Sequence, residues 1–103
     1  MTLPGTSPPR DSDEAFRVKT RRDRLFGLWA AERLGLSGRE ADIYARHVIM
    51  ADMEAGGEVD LLHEVAADLS RYVSAIDEQV LQVELRRFED IARDQLAREN
   101  RRS

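Results

Sequence analysis

The stretch that decides the fold is Leu25–Leu36, LFGLWAAERLGL, which is apolar around almost the whole circumference of a helix. Such a helix has to be enclosed by neighbours, because it leaves no wide polar face for water. Gly35, near its end, can end a helix in the left-handed conformation. The stretch therefore predicts a central helix with other helices packed around it.

Residues 1–12, MTLPGTSPPRDS, contain three prolines and too little apolar surface to offset the entropy of ordering them. They predict a flexible N-terminal tail. The first helix is expected to begin near Ser12 or Asp13, since Ser12 can cap exposed amide groups and Asp13 complements the positive helix end. This helix covers residues 13–34.

Three further helices follow from apolar residues at helical spacing. Ser37–Glu40 reads as a capping box, in which Ser37 caps the Glu40 amide and Glu40 reaches back. Gly56 and Gly57 are expected to end that helix. The predicted ranges are 38–55, 59–70 and 77–99, with Asp77 as a cap and residues 100–103 frayed. Residues 13–99 therefore predict one all-α domain, a four-helix bundle.

Composition narrows the function classes. The 103 residues include no cysteine, so disulfides and thiolate metal ligands are excluded. No window of 18 residues is apolar enough to span a membrane, and no signal-peptide core precedes residue 10, so a cytoplasmic location is expected. The formal net charge of −4 argues against nucleic acid as the main partner.

Residues 17–24, here called the basic strip, carry five cations against Asp23 alone. The strip is a solvated helix face, a docking face for an acidic protein, or a set of phosphate contacts. Asp52 lies on the apolar stripe of the second helix, where a carboxylate needs a partner. One interpretation is an acid or ligand contact. The other is a cap, or a salt bridge between helices with an arginine of the first helix as its partner.

The sequence contains no recognisable catalytic motif. Nothing assembles a nucleophile, a base and an oxyanion site, and there is no phosphate loop. His47 and His63 lie on different predicted helices and do not supply a zinc site. Leu34–Tyr44 is similar to the start of a helix-turn-helix, but the second helix continues where a recognition helix is needed. We expect no enzyme, no metal site and no cofactor.

The stretch Arg21–Leu36 resembles the signature of the zeta subunit, the ATPase inhibitor subunit of alphaproteobacterial ATP synthases. The capping box, Tyr44-Ala45 and Ala51–Glu54 continue the similarity, with Met53 in place of the usual aromatic residue. The resemblance covers about Asp13 to Glu99. The signature positions are Leu25, Gly27, Leu28, Trp29, Ala30, Ala31, Leu34, Gly35, Tyr44 and Asp52.

This resemblance implies a regulatory four-helix bundle that binds the catalytic head of ATP synthase, peripheral to the inner membrane, and that blocks ATP hydrolysis. Weak ATP or ADP binding is also associated with the fold. Docking is expected through the first helix and its basic edge. The partner-binding candidates are Phe16, Arg17, Lys19, Arg21, Arg22 and Arg24.

The chain departs from the family ahead of the first helix. Inhibition in the family is attributed to a charged, Phe-containing segment there, whereas this chain carries residues 1–12, with only Asp13–Phe16 as a remnant. Proline lacks an amide donor and clashes with the preceding turn, so this segment cannot insert as a helix. Inhibition is therefore expected to be weak or lost. The alternative is a diverged helical adaptor or weak nucleotide-binding protein that does not act on ATP synthase.

Overall fold

The computed structural model describes residues 10–102, with side chains described for residues 13–102. Four α-helices make up this part of the chain: α1 Arg10–Arg33, α2 Gly38–Met53, α3 Gly57–Tyr72 and α4 Glu78–Arg102. Helix α1 contacts the other three, while α2 and α4 do not touch within the described part. The predicted all-α four-helix bundle is confirmed, with α2 and α4 at opposite corners.

The main core forms where α1 meets its neighbours. Phe26 is fully buried, stacks on Trp29 at a centroid distance of 5.7 Å, and meets Phe88 of α4 edge-on. Ala30 and Ala31 are also fully buried, whereas Trp29 is only partly covered. Leu25, Leu28 and Leu34 are likewise partly covered. The apolar stretch thus does build the core, and its most enclosed aromatic residue is Phe26.

Gly27 lets α1 approach α2 closely. A Cβ atom at this position would lie 2.7 Å from the backbone Cα of Ala45 and 3.2 Å from the Cβ of Val48. The first of these distances is shorter than any ordinary carbon–carbon contact, and its partner is backbone that cannot swing aside. Glycine has a low helix propensity, but at position 27 it permits close packing between α1 and α2.

Gly35 ends α1 as predicted. It adopts φ +81°, which suits a residue without a Cβ. Its N–H donates to the Glu32 carbonyl at 3.0 Å, and the Leu36 N–H donates to the Ala31 carbonyl at 2.9 Å. These two bonds are the paired contacts of a Schellman motif, which satisfies carbonyls that would otherwise lack donors.

The start of α1 differs from the prediction. The helix begins at Arg10, directly after Pro9, so Ser12 belongs to its first turn and is not its cap. No proline follows Pro9, and nothing between Arg10 and Asp13 prevents helical backbone. Of the predicted flexible tail, residues 1–9 lie outside the described residues and 10–12 are helical.

The capping box predicted at Ser37–Glu40 is wrong. Ser37 occupies the N-cap position with extended backbone, but its side chain makes no capping hydrogen bond. Gly38 follows it at φ +55°, which is not the helical conformation that a capping box requires of the first residue. Asp77, in contrast, does cap α4, because its Oδ1 accepts the Gln79 N–H at 2.9 Å.

The remaining helix ends shift by a few residues. Helix α2 stops at Met53, because Glu54 is already extended and its carbonyl accepts the Gly57 N–H at 2.9 Å. Helix α3 runs to Tyr72, whose side chain is 70% exposed. Helix α4 continues to Arg102 without the predicted fraying of residues 100–102; cationic residues in its last turn complement the helix dipole. None of the four helices is long and apolar enough to cross a membrane.

Replacing Gly27 by alanine should destabilise the bundle. The added Cβ must push α1 and α2 apart, and the cost of overpacking exceeds the gain in helix propensity, leaving a net loss of about 1–2 kcal/mol. Urea unfolding followed by circular dichroism measures it. Gln82→Ala, an exposed change on α4, is the control and should stay within about 0.5 kcal/mol of the parent. An unchanged or more stable Gly27→Ala variant would contradict the close α1–α2 contact.

Candidate functional site

The basic strip divides between two surfaces of α1, because successive helical residues are about 100° apart. Phe16, Arg17, Arg21 and Arg24 line one shallow surface groove together with Thr20 and Leu96. Lys19 and Arg22 line a different cleft, which they share with Asp52. Of the six predicted partner-binding residues, four therefore lie together, and Arg22 faces the interior.

The surface groove is exposed and cationic. Phe16, one of the residues that line it, is 53% exposed. The Arg21 guanidinium donates two hydrogen bonds to the Glu99 carboxylate of α4, at 2.6 and 3.0 Å, and these bonds hold the pKa of Glu99 below its usual range. Arg24 reaches Asp42 of α2 at 3.3 Å. Ion pairs this open to water add little stability, so the groove is available for contacts with a partner.

Arg22 lies at the centre of a buried ionic network and is only 5% exposed. Its Nε donates to Asp23 Oδ1 at 2.9 Å and its Nη2 to Asp52 Oδ2 at 3.0 Å. Its Nη1 donates to Glu89 Oε1 at 3.0 Å and to Glu58 Oε1 at 3.3 Å. One guanidinium thus contacts carboxylates from all four helices. We call these five residues the Arg22 network.

Further cations surround the network at the surface. Arg86 pairs with both Glu58 and Glu89, and Arg93 reaches Glu89 at 3.3 Å. Burial alone would raise the pKa of Glu89, but the hydrogen bonds from Arg22 and Arg93 outweigh it and hold that pKa below its usual range. Lys19 Nζ lies 3.6 Å from Asp52 Oδ2. The outer carboxylates are therefore well compensated.

Asp23 is the exception among the carboxyl groups. Its side chain is 2% exposed. Burial and a hydrogen bond with the Asp52 carboxyl raise the pKa of Asp23 to about 8, although the charge of Arg22 acts in the opposite direction. A carboxyl group that resists ionisation at neutral pH is unusual, and it lies here between α1 and α2.

The two polar signature residues of α2 hold that helix to different neighbours. Asp52 is 2% exposed and pairs with Arg22 of α1, so the structure forms the salt bridge between helices that was one of its two interpretations. The Tyr44 hydroxyl donates to Asp68 Oδ2 of α3 at 2.8 Å, and burial together with this bond raises the pKa of Tyr44. Both residues therefore fix the orientation of α2.

Sequence reasoning missed Asp23, Glu58 and Glu89 as members of the network. In the sequence, Glu89 lies four residues before Arg93, a spacing typical of ion pairs on a solvated helix face, and Asp23 is only one charge within the basic strip. A signal was present for α1, since Val18, Arg22 and Phe26 follow each other at intervals of four residues on one helical face. Nothing comparable marks Glu58 or Glu89, because their inward direction depends on where Arg22 lies in three dimensions.

The cleft beside the network, about 330 Å³ in volume, is polar and balanced in charge. Its cations are Lys19, Arg22 and Arg93, and its acids are Asp52, Glu58 and Glu89. The Arg22 guanidinium separates these acids from one another. Among the side chains described, those of residues 13–102, no three His, Cys, Asp or Glu are placed to hold a metal ion. His47 and His63 are both exposed.

Replacing Arg22 by methionine should destabilise the fold by about 3–5 kcal/mol, because the change leaves the buried carboxyl groups of Asp23 and Asp52 without their shared cation. The matched control is Arg24→Met, which removes an exposed α1–α2 ion pair and should cost less than about 1 kcal/mol. Urea unfolding at neutral pH compares the two. Equal losses would mean that the buried network contributes no more than the surface pair.

Comparison with known proteins identifies the family of this chain. The family model for ATPase inhibitor subunit zeta matches residues 9–95, which span most of the chain and all of α1, α2 and α3. No curated protein and no solved structure matches. The matched range contains the α1 residues of the surface groove and the whole Arg22 network. The chain therefore belongs to the ATPase inhibitor subunit zeta family.

Proposed function

We propose that this chain binds the catalytic head of ATP synthase through the exposed groove of α1, and that it inhibits ATP hydrolysis weakly or not at all. Family membership carries the proposal, because it supports an ATP synthase inhibitor-like role. Bound in this way, the protein is peripheral to the inner membrane. It acts by occupying a surface of the synthase, without chemistry of its own.

The groove suits an acidic partner surface that also offers an apolar contact. Arg17, Arg21 and Arg24 line the same groove as the exposed Phe16 side chain. Aromatic and arginine side chains are the residues that most often dominate binding energy in protein interfaces. The chain is acidic overall, so this cationic patch also orients the molecule as it approaches an acidic partner.

The weak inhibition follows from the residues ahead of α1. Pro4, Pro8 and Pro9 interrupt the segment in which the family carries its inhibitory residues. Proline lacks an amide donor and clashes with the preceding turn, so prolines at these positions disfavour an inserting helix. Docking and inhibition are therefore separate properties in this chain, with the first retained on the bundle.

Binding is tested by a pull-down of the purified catalytic head with the full chain. Phe16→Ala combined with Arg17→Glu should lower the affinity by at least about tenfold, as expected for a central aromatic residue and a reversed charge in an interface. The control is Arg46→Glu, an exposed charge reversal on α2, which should bind like the parent. If the parent chain fails to bind the head, the proposal is wrong; if both variants bind equally well, the groove is not the docking surface.

Inhibition is tested separately by following ATP hydrolysis of the head at saturating amounts of the chain. We expect the rate to fall by less than about twofold, because prolines occupy the segment ahead of α1 and disfavour an inserting helix there. A complete block by the bound chain would refute weak inhibition while leaving docking intact.

A further inference from the structure

The α1–α2 junction contains a carboxyl pair that lacks enough cations and donors. Asp23 and Asp52 bind adjacent nitrogens of the same guanidinium, at 2.9 and 3.0 Å, and their side chains are 2% and 1% exposed. Arg22 must at the same time serve Glu58 and Glu89. Two ionised carboxylates this close and this dry repel each other strongly.

One oxygen of the pair, Asp52 Oδ1, indicates how this shortage of cations and donors is compensated. Asp52 Oδ1 is buried and accepts no hydrogen bond from an N–H or hydroxyl group of the described residues. An unsatisfied carboxylate oxygen in the interior is costly, so a donor is expected there. Lys19 is directed at the other oxygen, Oδ2, from 3.6 Å. The carboxyl of Asp23 is the neighbouring group that can supply a donor, provided that it carries a proton.

We propose that Asp23 retains its carboxyl proton at neutral pH and donates it to Asp52, and that the loss of this proton as the pH rises loosens the contact between α1 and the end of α2. The junction is therefore a proton-binding site within the bundle, and this role is independent of the docking proposed above.

The surroundings of the pair agree with one bound proton. The charged groups that face it are Lys19 and Arg22 from α1, Glu58 from α3 and Glu89 from α4. Arg86 and Arg93 compensate Glu58 and Glu89 but do not reach the pair. Burial and the bond to Asp52 raise the pKa of Asp23 to about 8, in the direction that retention of a proton requires.

The sign of the pH effect follows from this direction. A group whose pKa is higher in the folded state than in the unfolded state stabilises the fold fully below its unfolded pKa of about 3.9. That contribution is lost as the pH rises, until it is gone near a pH of about 8, the folded pKa. The bundle should therefore lose stability from this pair between weakly acidic and weakly alkaline pH.

The test compares the full chain with Asp23→Asn, whose amide can donate to Asp52 at every pH. Between pH of about 5 and about 8, the folding equilibrium constant of the parent should fall relative to the variant by at least about tenfold. Measuring this ratio at each pH cancels the titration of all groups that the two proteins share. Asp42→Asn, which changes the exposed partner of Arg24, is the matched control and should track the parent.

Carbon-13 NMR of the aspartate carboxyl groups gives a readout that a purely structural role would not move. In the parent chain, one carboxyl of the pair should remain protonated above pH of about 6 and should lose its proton at lower pH in Asp52→Asn. The proposal would be overturned if the stabilities of the parent and Asp23→Asn changed in parallel with pH. It would also be overturned if both carboxyls of the pair in the parent were already ionised at a pH of about 6. Because the titration of the parent is decisive by itself, the result stands even if a variant fails to fold.

Discussion

The bundle depends on the single guanidinium of Arg22, which is buried and binds buried carboxylates of α1 and α2 together with partly exposed carboxylates of α3 and α4. A cation in the interior is costly unless every donor finds a partner, and Arg22 meets that condition with Nε, Nη1 and Nη2 all engaged. Apolar packing alone would permit α1 to rotate or slide against its neighbours. The fixed fork of the guanidinium allows one arrangement, so it selects the register in which the helices pack.

The same interaction explains why a proton enters the interior. One guanidinium supplies one positive charge, while four carboxylates converge on it. Glu58 and Glu89, nearest the surface, also pair with Arg86 and Arg93, and Asp52 also pairs with Lys19. Asp23 is buried, and within the described residues it pairs with Arg22 alone. Protonation removes one negative charge where no further positive charge can be placed. The stability of α1 against α2 is therefore tied to pH through the geometry of a single residue.

The sequence predicted the helices and their apolar packing well, but it predicted the polar contacts between helices poorly. Helical spacing located all four helices, and Gly35 ended α1 as expected, because these features depend on local backbone preference. Ser37 failed as a cap because Gly38 adopts a positive φ, which nearby sequence does not specify. Glu89 looked like a solvated residue, and it turns inward only because Arg22 of a distant helix meets it there. Polar pairing between helices is decided by tertiary geometry, which periodicity does not record.

The family signature and the proposed activity consequently lie on different parts of α1. Leu25–Leu36 is the most specific stretch, and its residues are used for packing: Phe26 and Ala30 fill the core, and Gly27 permits contact with Ala45. Such positions tolerate few changes, because each is constrained by its packed neighbours. They therefore identify the fold independently of its activity. Exposed residues around Phe16 have no such constraint, so a family member can keep the bundle intact while its contacts and its inhibitory strength change. In this chain, the shared core therefore identifies the family, whereas the proposed differences in activity lie in the residues before and around the first turns of α1.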